Sequence, residues 1–270
     1  MRRVGGKQTT SSEQNNIKYC AKFLFYYLYA LLVSGFLLPV FLLKPGSTKN
    51  SRIGAWFSGL ITYLYDLDFI LRDGQILGED RGAVIVANHQ SSFDAIGMFR
   101  HWNVAQNMTV VVKKELYYFW PFGLAASLAG VVFIDRSQPK AAYKSMKTTM
   151  HVMQDNKTKI WVFPEGTRNK KINQFLPFKK GAFAIAVAAQ VPIIPVVYSP
   201  YYFINNNKYI FAKGHIIMQC LEPVSTKGLT ENDIPALIEI VREKMFTTYK
   251  ELRKEVLNSL AVDYPYSIEC

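Results

Sequence analysis

Cysteine is scarce in this 270-residue chain, and Cys20, Cys220 and Cys270 stand far apart with no C-x-x-C pair. Neither a disulfide framework nor a zinc site is indicated, and a reducing, cytosol-facing environment is the simpler reading. The signatures of several large enzyme classes are missing as well: no G-x-G-x-x-G, no G-x-x-x-x-G-K-[ST], no H-E-x-x-H and no G-x-S-x-G. Dinucleotide, nucleoside triphosphate, zinc-hydrolase and serine-hydrolase chemistry are thereby disfavoured, and neither a metal nor a bound cofactor is expected. An S-x-x-K match from Ser137 to Lys140 lacks its partner motifs and carries no weight.

Acidic side chains are also in short supply, 20 against 32 Lys and Arg, leaving a net charge of +12. Such a balance favours anionic partners, whether lipid headgroups, phosphorylated small molecules or nucleic acid. No RRM, zinc-finger or helix-turn-helix pattern accompanies the charge, so nucleic acid is not expected as a partner. Hydrophobic residues make up 50% of the chain and the mean hydropathy is +0.04. That is high for a soluble enzyme and low for a transporter of many spans, and it suits a globular domain on or in a membrane.

One long uncharged run is present. "FLFYYLYALLVSGFLLPVFLL", Phe23 to Leu43, has 21 residues, enough at about 1.5 Å per residue to cross the roughly 30 Å hydrocarbon layer. It leads into Lys44-Pro45-Gly46 rather than a small-residue cleavage site. It therefore reads as an uncleaved transmembrane helix or one arm of a membrane-embedded hairpin. A second stretch, Ile53 to Leu71, is interrupted by Asp66 and Asp68 and reads as an interfacial or re-entrant helix, or alternatively as a buried helix of the soluble domain. Both flanks of the long run are basic, so orientation stays open. Residues 1–75 thus read as a tail, disordered over its polar first 20 residues, plus membrane-anchoring helices, and residues 76–270 as the catalytic domain.

In that domain, continuous apolar runs at 82–88, 108–114, 130–136, 159–166 and 191–199 read as strands buried on both faces. Helical patterns lie between them at about 92–101, 115–128, 139–155 and 180–190, the third carrying Met146, Met150 and Met153 on one face. Residues 208–220 read as two strands around a Lys213-Gly214 turn, and 231–259 as a final amphipathic helix. Strand and helix in alternation imply an α/β fold, a mostly parallel sheet covered by helices.

Four segments stand at strand ends. In "NHQSSFD" His89 precedes Asp94 by five residues. On one continuous helix the two would point apart, but if Ser91 or Ser92 caps the helix, the chain bends at His89 and Asp94 can reach back to the imidazole Nδ1. Its carboxylate would fix the tautomer and leave Nε2 free to take a proton from a hydroxyl. "FPEGTR", Phe163 to Arg168, is a turn presenting a guanidinium suited to holding phosphate with two hydrogen bonds. "GVVFIDR" ends on a second cation, Arg136, and "VPIIPVV" reads as a buried strand shaping the crevice. Ligands of open α/β sheets bind outside the carboxyl ends of strands, where these segments can converge.

In this order the four blocks resemble the glycerolipid acyltransferase family, specifically the 1-acylglycerol-3-phosphate acyltransferases, over roughly Gly82 to Tyr201, and "LPFKKGAF" after the third block is also similar. The resemblance implies transfer of a fatty acyl group from acyl-CoA to the sn-2 hydroxyl of lysophosphatidic acid, giving phosphatidic acid. It implies His89 as general base and Asp94 as its orienting partner. Glu165, Gly166, Thr167 and Arg168 would belong to the acceptor site, with Arg136, and Lys113 or Lys114, as further binding candidates. Acyl-CoA is then a co-substrate, the bilayer a partner and the endoplasmic reticulum membrane the expected location. Since acyl-CoA is made in the cytosol, the site is expected at the cytosolic face or membrane surface, with the sequons at Asn107 and Asn156 unmodified. Two other readings stay open: a different acceptor, such as glycerol-3-phosphate or another lysophospholipid, and an inactive protein that tethers lipid.

Overall fold

The computed structural model describes residues 11–135, 157–169, 171 and 173–259. Its centre is a seven-stranded sheet of β1 (Leu67–Arg72), β2 (Ala83–Ala87), β3 (Met108–Lys113), β4 (Val132–Ile134), β5 (Lys159–Val162), β6 (Ile193–Tyr198) and β9 (Gly214–Cys220), in the order β1-β9-β6-β2-β5-β3-β4. From β6 to β4 every neighbouring pair is parallel; β9 runs antiparallel to β6, and β1 is parallel to β9. The expected α/β class with a mostly parallel sheet is the one observed.

The continuous apolar runs are explained by cover on both faces. In β2 all five residues are buried. Ala83, Ile85 and Ala87 face a cluster containing Phe93, Trp161 and Met218, whereas Val84 and Val86 face Ile160, Phe183 and Val241. Helices α8 (Gly181–Ala189) and α9 (Ile234–Ser259) cover the second face. The stripe of Ile234, Ile238, Val241, Met245, Tyr249 and Leu252 on α9 is buried there as its spacing predicts. Helices α2 (Thr48–Gly59), α3 (Ile61–Tyr65), α5 (Asp94–Arg100) and α6 (Trp102–Ala105) cover the first, with α4 (Gln75–Gly78) between β1 and β2.

Several local expectations are corrected. Residues 67–71, the end of the stretch read above as an interfacial, re-entrant or buried helix, instead form with Arg72 the edge strand β1, paired with β9 from Leu67↔Gly214 to Arg72↔Gln219. The sheet therefore draws its edge from the segment placed before residue 76. Helix 115–128 is broken: Lys114–Tyr118 is a 3₁₀ turn, and α7 (Phe122–Leu128) begins only after Trp120-Pro121, because the residue before a proline disfavours helical geometry. The two strands of 208–220 do not pair with each other; β8 (Ile210–Phe211) pairs with β7 (Ile204–Asn205), and β9 joins the main sheet. The expected helix 139–155, with its three methionines, lies outside the described residues.

Helix α1 runs from Ser11 to Leu43, so residues 11–20 are helical rather than disordered. Asn16–Leu43 is long and apolar enough to cross a membrane by length and composition. From Tyr19 to Phe41, one side of it nevertheless rests on the rest of the protein. Tyr19 Oη donates to Asn206, Lys22 Nζ to the Phe211 carbonyl and Tyr29 Oη to the Phe57 carbonyl, while Leu37 and Phe41 pack with Ala125 of α7 and Ala129 just beyond it. Leu24, Leu28, Leu32, Phe36 and Leu43 on the opposite side are exposed.

Candidate active site

The carboxyl ends of β6, β2 and β5, three neighbours in the sheet, carry the loops that build the site. After β2 the chain leaves the sheet at Asn88, whose buried side chain fills the gap to β6. Its Oδ1 accepts the Tyr198 N–H at 2.8 Å and its Nδ2 donates to the Tyr198 carbonyl at 3.1 Å. Gln90 Nε2 donates to the Ser199 carbonyl at 3.0 Å, a second tie between the same two strand ends.

The bend expected at His89 is present, but no serine caps the helix. Phe93 occupies the cap position without a side-chain bond. Asp94, the first residue of α5 and fully buried, turns back instead. Its Oδ2 lies 2.6 Å from His89 Nδ1 and accepts the N–H groups of Gln90 at 2.7 Å and Ser91 at 3.0 Å. One carboxylate oxygen thus organises the whole loop, and an acid at a helix N-terminus is favoured by the helix dipole. The Asp94 carbonyl accepts from Tyr198 Oη at 2.8 Å. The imidazole stacks on Phe163, with ring centroids 4.2 Å apart and 19° between planes. With Nδ1 turned to Asp94, Nε2 is the ring nitrogen directed away from that carboxylate; 22% of the side chain stays accessible.

Glu165, assigned above to the acceptor site, is 2% exposed. Its Oε1 accepts the His89 N–H at 2.8 Å and its Oε2 the Leu176 N–H at 3.2 Å, so it pins the histidine loop to segment 173–178. Burial pushes its carboxyl up to about 7, with the two N–H bonds opposing that rise. The Asn169 N–H also closes on the His89 carbonyl at 2.7 Å.

Gly166 turns the chain at φ +70°, where a Cβ would lie 2.9 Å from the Lys179 side chain. Thr167 and Arg168 follow it as exposed residues, and Arg168 makes no ion pair among the described residues, so its guanidinium stands open beside the loop it follows. Lys113 and Lys114 emerge at the carboxyl end of β3; Lys113 pairs with Glu115 at 2.9 Å and Lys114 with Asp135 at 3.4 Å. Arg136 lies outside the described residues. The structure therefore joins His89, Asp94 and Glu165 through direct bonds and sets Gly166, Thr167 and Arg168 in the turn that follows Glu165.

Sequence reasoning missed Asn88, Gln90, Phe163, Asn169 and Tyr198 as supports of this loop, and missed Tyr26 of α1. The Tyr26 hydroxyl donates to the Ser92 carbonyl at 3.1 Å and its ring packs on Phe93 with centroids 4.8 Å apart, beside Phe23. A signal existed: Tyr19, Lys22, Phe23 and Tyr26 recur at helical spacing on one side of the helix.

A model of the family described as acyltransferase matches residues 69–199. Human 1-acyl-sn-glycerol-3-phosphate acyltransferase beta is 39% identical over 240 residues, 88% of this chain and 85% of that protein. The human alpha enzyme is 37% identical over 236 residues, 87% of this chain and 82% of that protein. The crystal structure of the 1-acyl-sn-glycerophosphate (LPA) acyltransferase of Thermotoga maritima superposes with a TM-score of 0.66 at 23% identity, covering 90% of this chain and 98% of that one, a likeness of fold.

Proposed function

Because the chain belongs to the 1-acyl-sn-glycerol-3-phosphate acyltransferase family, we propose that it moves a fatty acyl group from acyl-CoA to the sn-2 hydroxyl of lysophosphatidic acid, giving phosphatidic acid. The observation that carries this reading is the 2.6 Å bond between His89 Nδ1 and Asp94, which orients the imidazole with Nε2 available. His89 Nε2 takes the proton of the acceptor hydroxyl as its oxygen attacks the thioester carbonyl, and Asp94 stabilises the resulting imidazolium. The tetrahedral intermediate collapses with cleavage of the carbon–sulfur bond, and His89 returns the proton to the departing CoA thiolate. Arg168 holds the lysolipid phosphate, with Lys113 and Arg136 as further cations for phosphate or oxyanion.

Glu165 acts in this reading as a positioning residue, since both its oxygens are taken by backbone N–H groups. No step calls for a metal or a bound cofactor, and nucleic acid has no part in it. The exposed apolar side of α1 holds the enzyme at a bilayer from which both amphiphilic substrates arrive laterally. We place it at the endoplasmic reticulum membrane with the site open to the cytosolic side.

The test is release of free CoA thiol by the detergent-purified protein given acyl-CoA with lysophosphatidic acid, glycerol-3-phosphate or lysophosphatidylcholine, and His89→Ala as control. Release with lysophosphatidic acid that the substitution abolishes is the expected result. Preference for another acceptor would move the assignment and keep the chemistry. No His89-dependent release with any acceptor would leave the lipid-tethering reading.

A further inference from the structure

Between β3 and α7 the chain exposes Tyr117, Tyr118, Phe119 and Trp120, four aromatic side chains in a row that are 45%, 69%, 62% and 74% accessible. Large apolar groups scattered singly need no explanation, but four in sequence on one turn do. The turn is held firmly. Gly123 donates its N–H to the Phe119 carbonyl at 2.7 Å, and it packs so close that a Cβ there would lie 1.8 Å from the Tyr117 oxygen. Tyr117 also meets Phe133 of β4 edge-on at 5.5 Å. The aromatics are thus presented on a fixed support.

Two placements say what covers them. First, the turn abuts the apolar helix: Pro121 Cγ comes 3.6 Å from where a Cβ of Gly35 would be, one residue from Phe36, which is 69% exposed. The aromatic row therefore continues the exposed side of α1. Second, β2, β5 and β3 are parallel neighbours, so the turn leaves the sheet at the same edge as His89, two strand spacings away, or roughly 10 Å.

We propose that Tyr117 to Trp120 form a docking platform that enters the interfacial layer of a lipid bilayer beside α1 and brings the mouth of the His89 site to the membrane surface. Mixed Tyr, Trp and Phe is the composition that layer selects, since rings with polar tips fit the boundary between headgroups and chains. A protein partner would have no cause to follow the outward side of α1, whereas a bilayer covers both surfaces at once. The proposal rests on the acyl-transfer reading only for its catalytic consequence; the docking itself stands apart from it.

Two measurements test it. In the full chain carrying Trp56→Phe, Trp120 is the sole exposed tryptophan, because Trp102 and Trp161 are in the core. Reconstituted into phosphatidylcholine vesicles brominated on their acyl chains near the headgroup, this protein is expected to lose roughly half its exposed-tryptophan emission relative to unbrominated vesicles. Unquenched emission overturns the proposal, whether Trp120 remains in water or is covered by protein. Second, a Tyr118→Ser, Phe119→Ser, Trp120→Ser variant is expected to lose roughly tenfold in rate on vesicle-borne, long-chain lysophosphatidic acid, while keeping the parent rate with short-chain, water-soluble acceptor and donor. Equal losses on both substrates, or no loss on vesicles, overturn the proposal. Should the parent protein turn over no acceptor, the acyl-transfer reading fails and the quenching result alone decides the docking.

Discussion

Replacing Glu165 by Gln separates the stability of the histidine loop from its charge. The Glu165 carboxyl sits near pH 7 in the fold against 4.5 for the free side chain. A group raised in this way binds its proton more tightly in the folded state. Its contribution therefore favours folding at low pH and is lost as the pH rises from about 4.5 through about 7. With 1.36 kcal/mol per pH unit the loss amounts to about 3 kcal/mol. Gln does not titrate, but its amide oxygen can accept only one of the N–H groups of His89 and Leu176, and its NH₂ confronts the other. The variant is thus expected to be less stable than the parent at acid pH and to recover relative to it by about 3 kcal/mol toward pH 8. For a chain of this size that is a drift of about 6–12 °C in the difference between the two melting temperatures. Thermal unfolding of both proteins in detergent, from pH 4.5 to 8, measures it. A difference that stays constant across this range would refute the reasoning, because it would mean that the buried carboxyl ionises as if it were in water.

Three further outcomes are expected. Asp94→Asn should lower kcat by about 10³ to 10⁴ with little change in KM, as read by thiol release; a loss confined to KM would mean that the carboxylate does not serve the histidine. Arg168→Ala should reduce kcat/KM for a phosphate-bearing acceptor by about 10- to 100-fold, the range for loss of a charge-assisted hydrogen bond. Arg168→Lys should recover part of it, and equal rates in all three proteins would remove Arg168 from the acceptor site. Asn88→Ala leaves a backbone N–H and a carbonyl of Tyr198 without their buried partner; destabilisation of about 2–3 kcal/mol is expected in thermal unfolding, and a change below about 0.5 kcal/mol would show that the contact is dispensable.

Much of this was legible in the sequence, for reasons that differ from segment to segment. Strands β2, β5 and β6 are covered on both faces, so they stand out as unbroken apolar runs. The approach of Asp94 to His89 followed from the need for a bend ahead of the helix, although the bend is made by the aspartate itself and not by a serine cap. Strand β1 was misread because an edge strand is buried on one side only. Leu67 and Phe69 are buried and Asp68 is exposed, an alternation short enough to pass for helix, and the pairing that decides the matter lies with β9, far along the chain. The role of Glu165 could not be read at all. Its motif marks it as part of a site, but whether its oxygens face a ligand or two backbone amides depends on how segment 173–178 folds over it. The supports Asn88 and Tyr198 were hidden for the same reason, since each is ordinary in its own segment and acquires its task only from the neighbouring strand end.

Cutting away α1 would not liberate a water-soluble enzyme. Phe93 would lose Phe23 and Tyr26 from one side, the Ser92 carbonyl would lose its donor, and Ala125 and Ala129 would lose Leu37 and Phe41. The shortened chain would carry an open apolar wound next to its histidine and would clump through it. Solubility has to be engineered from the other side, by making Leu24, Leu28, Leu32 and Phe36 polar and keeping every inward residue of the helix as it is. One side of this hydrophobic segment is exposed, and the other is core.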